Sequence, residues 1–130
     1  MISDAEVFAR LGEDGFARLV RAFYARVVGD PILGPMYERS LAARGDAMAD
    51  AEWRLREFLI GRFGGPHRYV EKHGHPRLRV RHARFVIDDV AAHRWIDVMQ
   101  GAMDEVGIEP EVAAVIGPYF RETALFMINR

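Results

Sequence analysis

Residues 64–82 constrain this chain more than any other stretch: Gly64-Gly65-Pro66-His67-Arg68-Tyr69-Val70-Glu71-Lys72-His73-Gly74-His75-Pro76-Arg77-Leu78-Arg79-Val80-Arg81-His82. Gly64-Gly65-Pro66 ends an apolar helix, because glycine is a poor helix former and proline lacks the backbone donor a continuing helix needs. Gly74-His75-Pro76 makes a second turn. Beyond it the pattern is locally ambiguous. Arginine alternates with Leu78, Val80 and His82, as in a strand, whereas a helix would bring Leu78, His82 and Phe85 onto one face at spacings of four and three. No neighbouring stretch offers a partner strand, so the reading is helix, loop, short helix, with His82 presented at the end of a positioned element.

Such an arrangement suits a small helical protein, and the composition agrees. The chain has 130 residues, half of them hydrophobic and 28% charged, with a formal net charge of −1. That describes one ordinary globular domain, residues 1–130, long enough for its own core. Near-neutral charge removes any general electrostatic reason to seek nucleic acid or an acidic membrane. No long apolar run or basic-then-apolar leader is present, which predicts a cytoplasmic protein without membrane contact. Cysteine is absent. Disulfides, iron–sulfur clusters, thiolate zinc sites, thiol catalysis and covalent haem attachment through Cys-x-x-Cys-His are therefore excluded.

Helical signals run along the chain. Ser3-Asp4-Ala5-Glu6 has capping-box spacing and opens a short helix expected to end near Gly12. Phe16, Leu19, Val20, Phe23 and Val27 mark an amphipathic helix stopped before Asp30-Pro31. Pro31, Gly34-Pro35 and Gly45 predict turns and a loop over residues 30–50. Helix resumes near Asp50, with Ala51, Leu55, Phe58 and Leu59 on one face. Asp88 or Asp89 caps a long helix closed by Gly107, and Pro110 opens the last one, in which Gly117-Pro118 should introduce a kink. The fold class is all-α.

Several residues could carry chemistry. A histidine on an apolar helical face is more often a packed residue than a ligand. His82, however, has Leu78 and Phe85 on its face and Arg77, Arg79, Arg81 and Arg84 around it in a chain otherwise near neutral. A flat apolar macrocycle with two carboxylates would satisfy both features. Arg77 and Arg84 read as solvated surface. Arg81, Tyr69 and Arg54 are the candidate carboxylate partners. Arg54 lies about sixty degrees off the Ala51-Leu55-Phe58 face, at a pocket rim. His73 and His75 bracket Gly74 and resemble a metal pair, but a turn sets no regular geometry for them; with His67 and His93 they count as loop or surface residues. Tyr24 and Trp95 sit on inward helical faces, where they are ordinarily core residues whose polar atoms need a partner.

The segment Gly74 to His82 closely resembles the group II truncated haemoglobins, in which Gly-His-Pro-Arg-Leu-Arg-(Met/Val)-Arg-His ends in the histidine that binds haem iron. The likeness runs over nearly the whole chain. It implies a two-over-two helical sandwich around non-covalent haem b, with His82 as the iron ligand. It also implies haem contacts from Arg54, Leu55, Phe58, Tyr69, Leu78, Arg81, Phe85 and Trp95, the last of these thirteen residues after His82. The Phe23-Tyr24 pair stands where the family places a tyrosine hydroxyl toward bound ligand. Tyr37 matches an aromatic residue at the haem edge that can add a second hydroxyl. Ala51 takes the distal position where many globins carry histidine, so no second protein ligand is expected from that helix. The stretch from Tyr37 to Asp50 is several residues longer than is typical of the group.

The implied function is reversible binding of O2, CO and NO at a five-coordinate ferrous haem. Two alternatives stay open: an NO dioxygenase or a weaker peroxidase-like enzyme on the same scaffold, and a haem-free helical interaction module. An electron donor of unassigned identity is an expected partner, and a homodimer is compatible with the resemblance.

Overall fold

The computed structural model describes residues 1–82 and 86–130, the side chain of Arg79 aside. Phe85 and Arg84 lie outside the described residues. Helices α1 (Asp4–Val28), α2 (Leu33–Arg44), α3 (Met48–Arg62), α4 (Arg68–His73), α5 (Leu78–Arg81), α6 (Asp89–Val106) and α7 (Pro110–Phe126) follow one another, and no strand occurs among the described residues. Helix α1 packs on α3 and α6, and α6 packs on α7, so two helix pairs are stacked one over the other. No helix among the described residues is long and apolar enough to cross a membrane.

The capping box at Ser3 is present, with the Glu6 amide donating to Ser3 Oγ and the Ser3 amide to Glu6 Oε1. The break expected at Gly12 is there too. Gly12 adopts φ +73, ψ 170, a conformation L side chains resist, and the chain bends and resumes as helix without a linker. The second half of α1 buries Phe16, Leu19, Val20, Phe23 and Val27, the face its periodicity marked. Phe16 stacks between Phe8 and Phe63, and Phe63 meets Tyr119 edge-on. This aromatic row seals one end of the sandwich. Gly64 makes it possible: a Cβ there would come within 2.7 Å of the Ala5 backbone, and its φ of +101 also favours glycine.

Residues 30–50 depart from the expected loop. Leu33–Arg44 is helix, because Pro31 and Pro35 lie at its opening, where a missing amide hydrogen costs nothing. The buried Asp30 carboxylate accepts from the Ile32 and Leu33 amides at 3.0 and 2.8 Å and also binds Arg94 of α6. Gly45, at φ +69, closes the helix. The short helix α4, between the two glycine-proline turns, was likewise not expected.

Segment 78–82 resolves in favour of helix: the Arg81 and His82 amides donate to the Arg77 and Leu78 carbonyls at 2.9 and 3.1 Å. Asp88 caps α6 through the Ala91 amide. Helix α7 runs on helically through Gly117-Pro118.

Asp30 therefore ties the α1–α2 corner to α6. Burial raises its pKa, but the Leu33 amide, Arg94 and the Ile32 amide outweigh this and hold it below the usual 3.8. A depressed folded-state pKa stabilises above the unfolded value and loses that contribution as pH falls through the folded one. Asp30→Ala is expected to lower the unfolding free energy by about 2 kcal/mol in urea titrations at pH 7. The gap from wild type should close as the pH is taken below 3.8.

Candidate cofactor cavity

A cavity of about 240 Å³ lies between the helix pairs. Tyr24 of α1, Met36, Tyr37 and Leu41 of α2, Ala51, Leu55 and Phe58 of α3, and Trp95 of α6 line it from one set of elements. Leu78 and His82 at α5, Ile87 before α6, Ala91 and Ala92 in its first turn, and Tyr119, Phe120, Thr123, Ala124 and Met127 of the last helix and its end also line it. Ser40, Arg44, Arg54, Leu59, Tyr69 and Arg81 complete the lining.

The His82 imidazole is the most constrained polar group here. Its Nδ1 lies 2.6 Å from the Leu78 carbonyl oxygen, a contact that requires the proton on Nδ1 and leaves Nε2 with a free lone pair. Burial lowers the His82 pKa, with Arg44 adding to the effect against the Leu78 hydrogen bond, so the neutral ring is favoured. The C-terminal tail holds the same segment. Asn129 Nδ2 donates to the His82 carbonyl at 3.3 Å, while its Oδ1 and backbone amide pair with the Ile87 amide and carbonyl at 2.9 Å. Sequence reasoning missed Asn129, since a polar residue one place from the end of the sequence carries no periodic or turn signal.

Three donors from α1, α2 and α6 meet in another part of the lining. Trp95 Nε1 donates to the Tyr37 hydroxyl at 2.9 Å. The Tyr37 oxygen so engaged keeps its own proton to give. The Tyr24 and Tyr37 rings meet edge-on at 5.7 Å between centroids. Burial pushes the Tyr37 pKa up to about 12 against the Trp95 hydrogen bond, and burial likewise raises Tyr24 well above its usual value. Both phenols remain donors at any working pH.

Phe23, expected in the pocket, is not among the lining residues. Its fully buried ring stands behind the wall, against Tyr24, Tyr37 and Trp95.

The rim is cationic. Arg44, Arg54 and Arg81 line the cavity, and no carboxylate does among the described residues. Asp46 bridges Arg44 and Arg54 at 3.0 and 2.8 Å, and the Arg81 guanidinium donates to the His73 and His75 carbonyls at 2.9 and 3.3 Å. Arg44, Met36 and Leu41 were missed because their helix was read as loop. His73 ends α4 instead of lying in a loop, and His75 Nδ1 accepts from the Arg77 amide.

An apolar slot, one lone-pair nitrogen on its wall, three guanidinium groups with no carboxylate in the described lining, and a separate group of donors fit a flat metal-centred macrocycle with acidic side arms. Haem is such a group, and these residues suit it.

Comparison with known proteins agrees. Residues 6–129 match the family described as bacterial-like globin. The group 2 truncated hemoglobin of Bacillus subtilis is 35% identical over 95% of this chain and 88% of its own. The two-on-two hemoglobin-3 of Arabidopsis thaliana is 34% identical over 98% and 71%. The crystal structure of the thermostable hemoglobin of Thermobifida fusca superposes with a TM-score of 0.84 at 36% identity, covering 98% of each chain. The fold and cavity define a haem-binding globin of two-over-two architecture. The chain belongs to the bacterial-like globin family, among the group II truncated haemoglobins. The alternative of a haem-free interaction module falls away.

The raised phenol pKa values set an alkaline limit. A group whose folded pKa lies above its unfolded value of 10.0 stabilises fully below that value and loses the contribution as pH climbs to about 12. Ultraviolet titration of the folded protein should leave Tyr37 largely un-ionised at pH 11, with stability falling from pH 10 upward. Tyr37→Phe should flatten that fall.

Proposed function

We propose that this protein holds haem b and reversibly binds O2, and also CO and NO, at a five-coordinate ferrous iron. The observation that carries the reading is the His82 imidazole, tied at Nδ1 to the Leu78 carbonyl and lining a cavity that also gathers three hydrogen-bond donors. Haem, when bound, supplies an iron centre with affinity for diatomic gases. His82 acts as the protein's iron ligand. Its hydrogen bond to Leu78 fixes the ring plane and raises the basicity of Nε2.

Arg54, Arg81 and Tyr69 answer the acidic side arms, and Arg44 joins them from α2. Leu55, Phe58, Leu78 and Trp95 supply apolar faces, with Phe85 assigned the same role outside the described residues. Ala51 places no imidazole on α3 to compete for the iron. Tyr24 and Tyr37 offer O–H donors to a bound gas. Trp95 acts through Tyr37, because its N–H is spent on the Tyr37 hydroxyl and turns the Tyr37 proton inward. Donors of this kind favour O2, whose outer atom gains negative charge on binding, over the less polar CO.

Peroxide chemistry is less favoured. It calls for an acid–base group to move protons, and the lining offers phenols, an indole and the iron-ligand histidine, with no carboxylate among the described residues.

Purified protein should carry one haem per chain, removable by acid–butanone extraction. His82→Ala should lose haem or bind it only with added imidazole, while His75→Ala retains it. A normal absorption spectrum in His82→Ala without imidazole would refute the assignment. For the gas, removing one hydrogen bond to a partly charged oxygen costs about 1.5–3 kcal/mol, or roughly ten- to hundredfold in release rate. Tyr37→Phe is expected to speed O2 release by that factor in ligand-displacement kinetics and to change CO binding far less. Trp95→Phe should have little further effect once Tyr37 is Phe, because it acts through that hydroxyl. Unchanged O2 release in both single variants and the double would show that these donors do not reach the ligand.

A further inference from the structure

Glu57 is a buried charge that the cavity does not use. Asp30 and Glu57 are the two buried charged side chains among the described residues, and neither lines the cavity. Arg68 Nε donates to Glu57 Oε1 at 2.6 Å, and Arg56 Nε to Glu57 Oε2 at 3.1 Å. The Arg68 guanidinium also binds Glu13. One arginine of α4 thus reaches α3 and α1 together.

Stability gives little reason for a carboxylate there. Taking two charges out of water costs about what their attraction returns, so a buried ion pair adds little over apolar residues of like volume. What such a pair does supply is register. Here the register is specific. Phe58 follows Glu57 and Tyr69 follows Arg68, and these two rings meet edge-on at 5.7 Å. Both line the cavity. On their other side α3 and α4 part around a groove of about 290 Å³, lined by Glu57, Gly61 and Val70 among others, so apolar packing does not hold α4 there. With six residues, α4 is also too short to hold itself. Tyr69 is buried, and among the described residues its hydroxyl has no hydrogen-bond partner.

We infer that Glu57 and Arg68 are positioning residues for Tyr69: their ion pair sets α4 on α3 so that the Tyr69 hydroxyl holds a carboxylate side arm of bound haem. This deepens the haem reading and rests on it. Neither Glu57 nor Arg68 lines the cavity, so each acts only through Tyr69. Glu13 engages the guanidinium from α1 and limits its freedom to swing away. The Tyr69 ring is steadied further by His73 at 5.0 Å and by the Arg81 guanidinium, 6.0 Å from its centroid.

The test is haem transfer from the ferric holoprotein to excess apomyoglobin at low salt, together with amide exchange in the holoprotein. Tyr69→Phe is expected to speed haem loss about fivefold, as the loss of one hydrogen bond would. Glu57→Gln, which keeps the volume and removes the charge, should do the same, and so should Arg68→Met. In a Tyr69→Phe background neither should speed it further, because each acts through that hydroxyl. Glu57→Gln should also hasten exchange of the Glu71 and Gly74 amides, which bond to the His67 and Val70 carbonyls, and leave the Ala92 amide of α6 at its wild-type rate. An ion pair that merely stabilises the fold would speed haem loss equally with and without the Tyr69 hydroxyl, and that result would overturn the inference. Wild-type haem loss in both charge variants would overturn it too. Arg68 is only half-buried, so Arg68→Met decides the matter if Glu57→Gln does not fold. A wild-type protein without a haem spectrum would overturn the reading beneath it.

Discussion

Phe23 is the side chain on which the cavity's polar chemistry depends. Fully buried, it touches Tyr24 at 5.1 Å, Tyr37 at 6.4 Å and Trp95 at 5.0 Å between ring centroids, and Trp95 continues to Phe120 at 5.7 Å. Four helices thus meet through one aromatic cluster: α1, α2, α6 and α7. A phenol or indole donor is useful only if its ring cannot turn away, and close-packed aromatic neighbours remove that freedom. The donors are rigid because a hydrocarbon stands behind them.

On the other side of the cavity the restraint is polar instead of apolar. Helix α5 has only four residues, too short to hold a fixed position by its own hydrogen bonds. The Arg81 contacts to the His73 and His75 carbonyls and the Asn129 clasp take over that task, tying the histidine-bearing segment to the end of α4, the turn after it and the C-terminal tail. Aromatic packing aligns the Tyr24, Tyr37 and Trp95 side chains, while hydrogen bonds to backbone align the His82 segment.

The charge pattern links the cavity to the exterior. Arg44 and Arg54 share Asp46, and a shared carboxylate holds both guanidinium groups in place without neutralising the pair. The rim therefore stays positive toward the cavity. Tyr69 sits at the junction, lining the cavity while its ring leans on Phe58 and His73.

Much of this was legible without coordinates. Apolar periodicity marked α1, α3, α6 and α7, and capping residues at Ser3, Asp88 and Gly107 marked their ends, because these signals depend on neighbours within a turn or two. The motif ending in His82, and with it the globin family, was equally local. Helix α2 was not legible. Its prolines and glycine read as breakers, and only the Asp30 carboxylate, held from across the chain by Arg94, shows them as the opening of a helix. The place of Phe23 behind the donors, the Trp95–Tyr37 hydrogen bond and the Asn129 clasp were beyond the sequence for the same reason. Apart from the adjacent Phe23–Tyr24 pair, each joins residues far apart in the chain, from 14 positions for Phe23–Tyr37 to 72 for Phe23–Trp95. A propensity or a motif describes one segment, whereas a contact between segments exists only once the chain has folded.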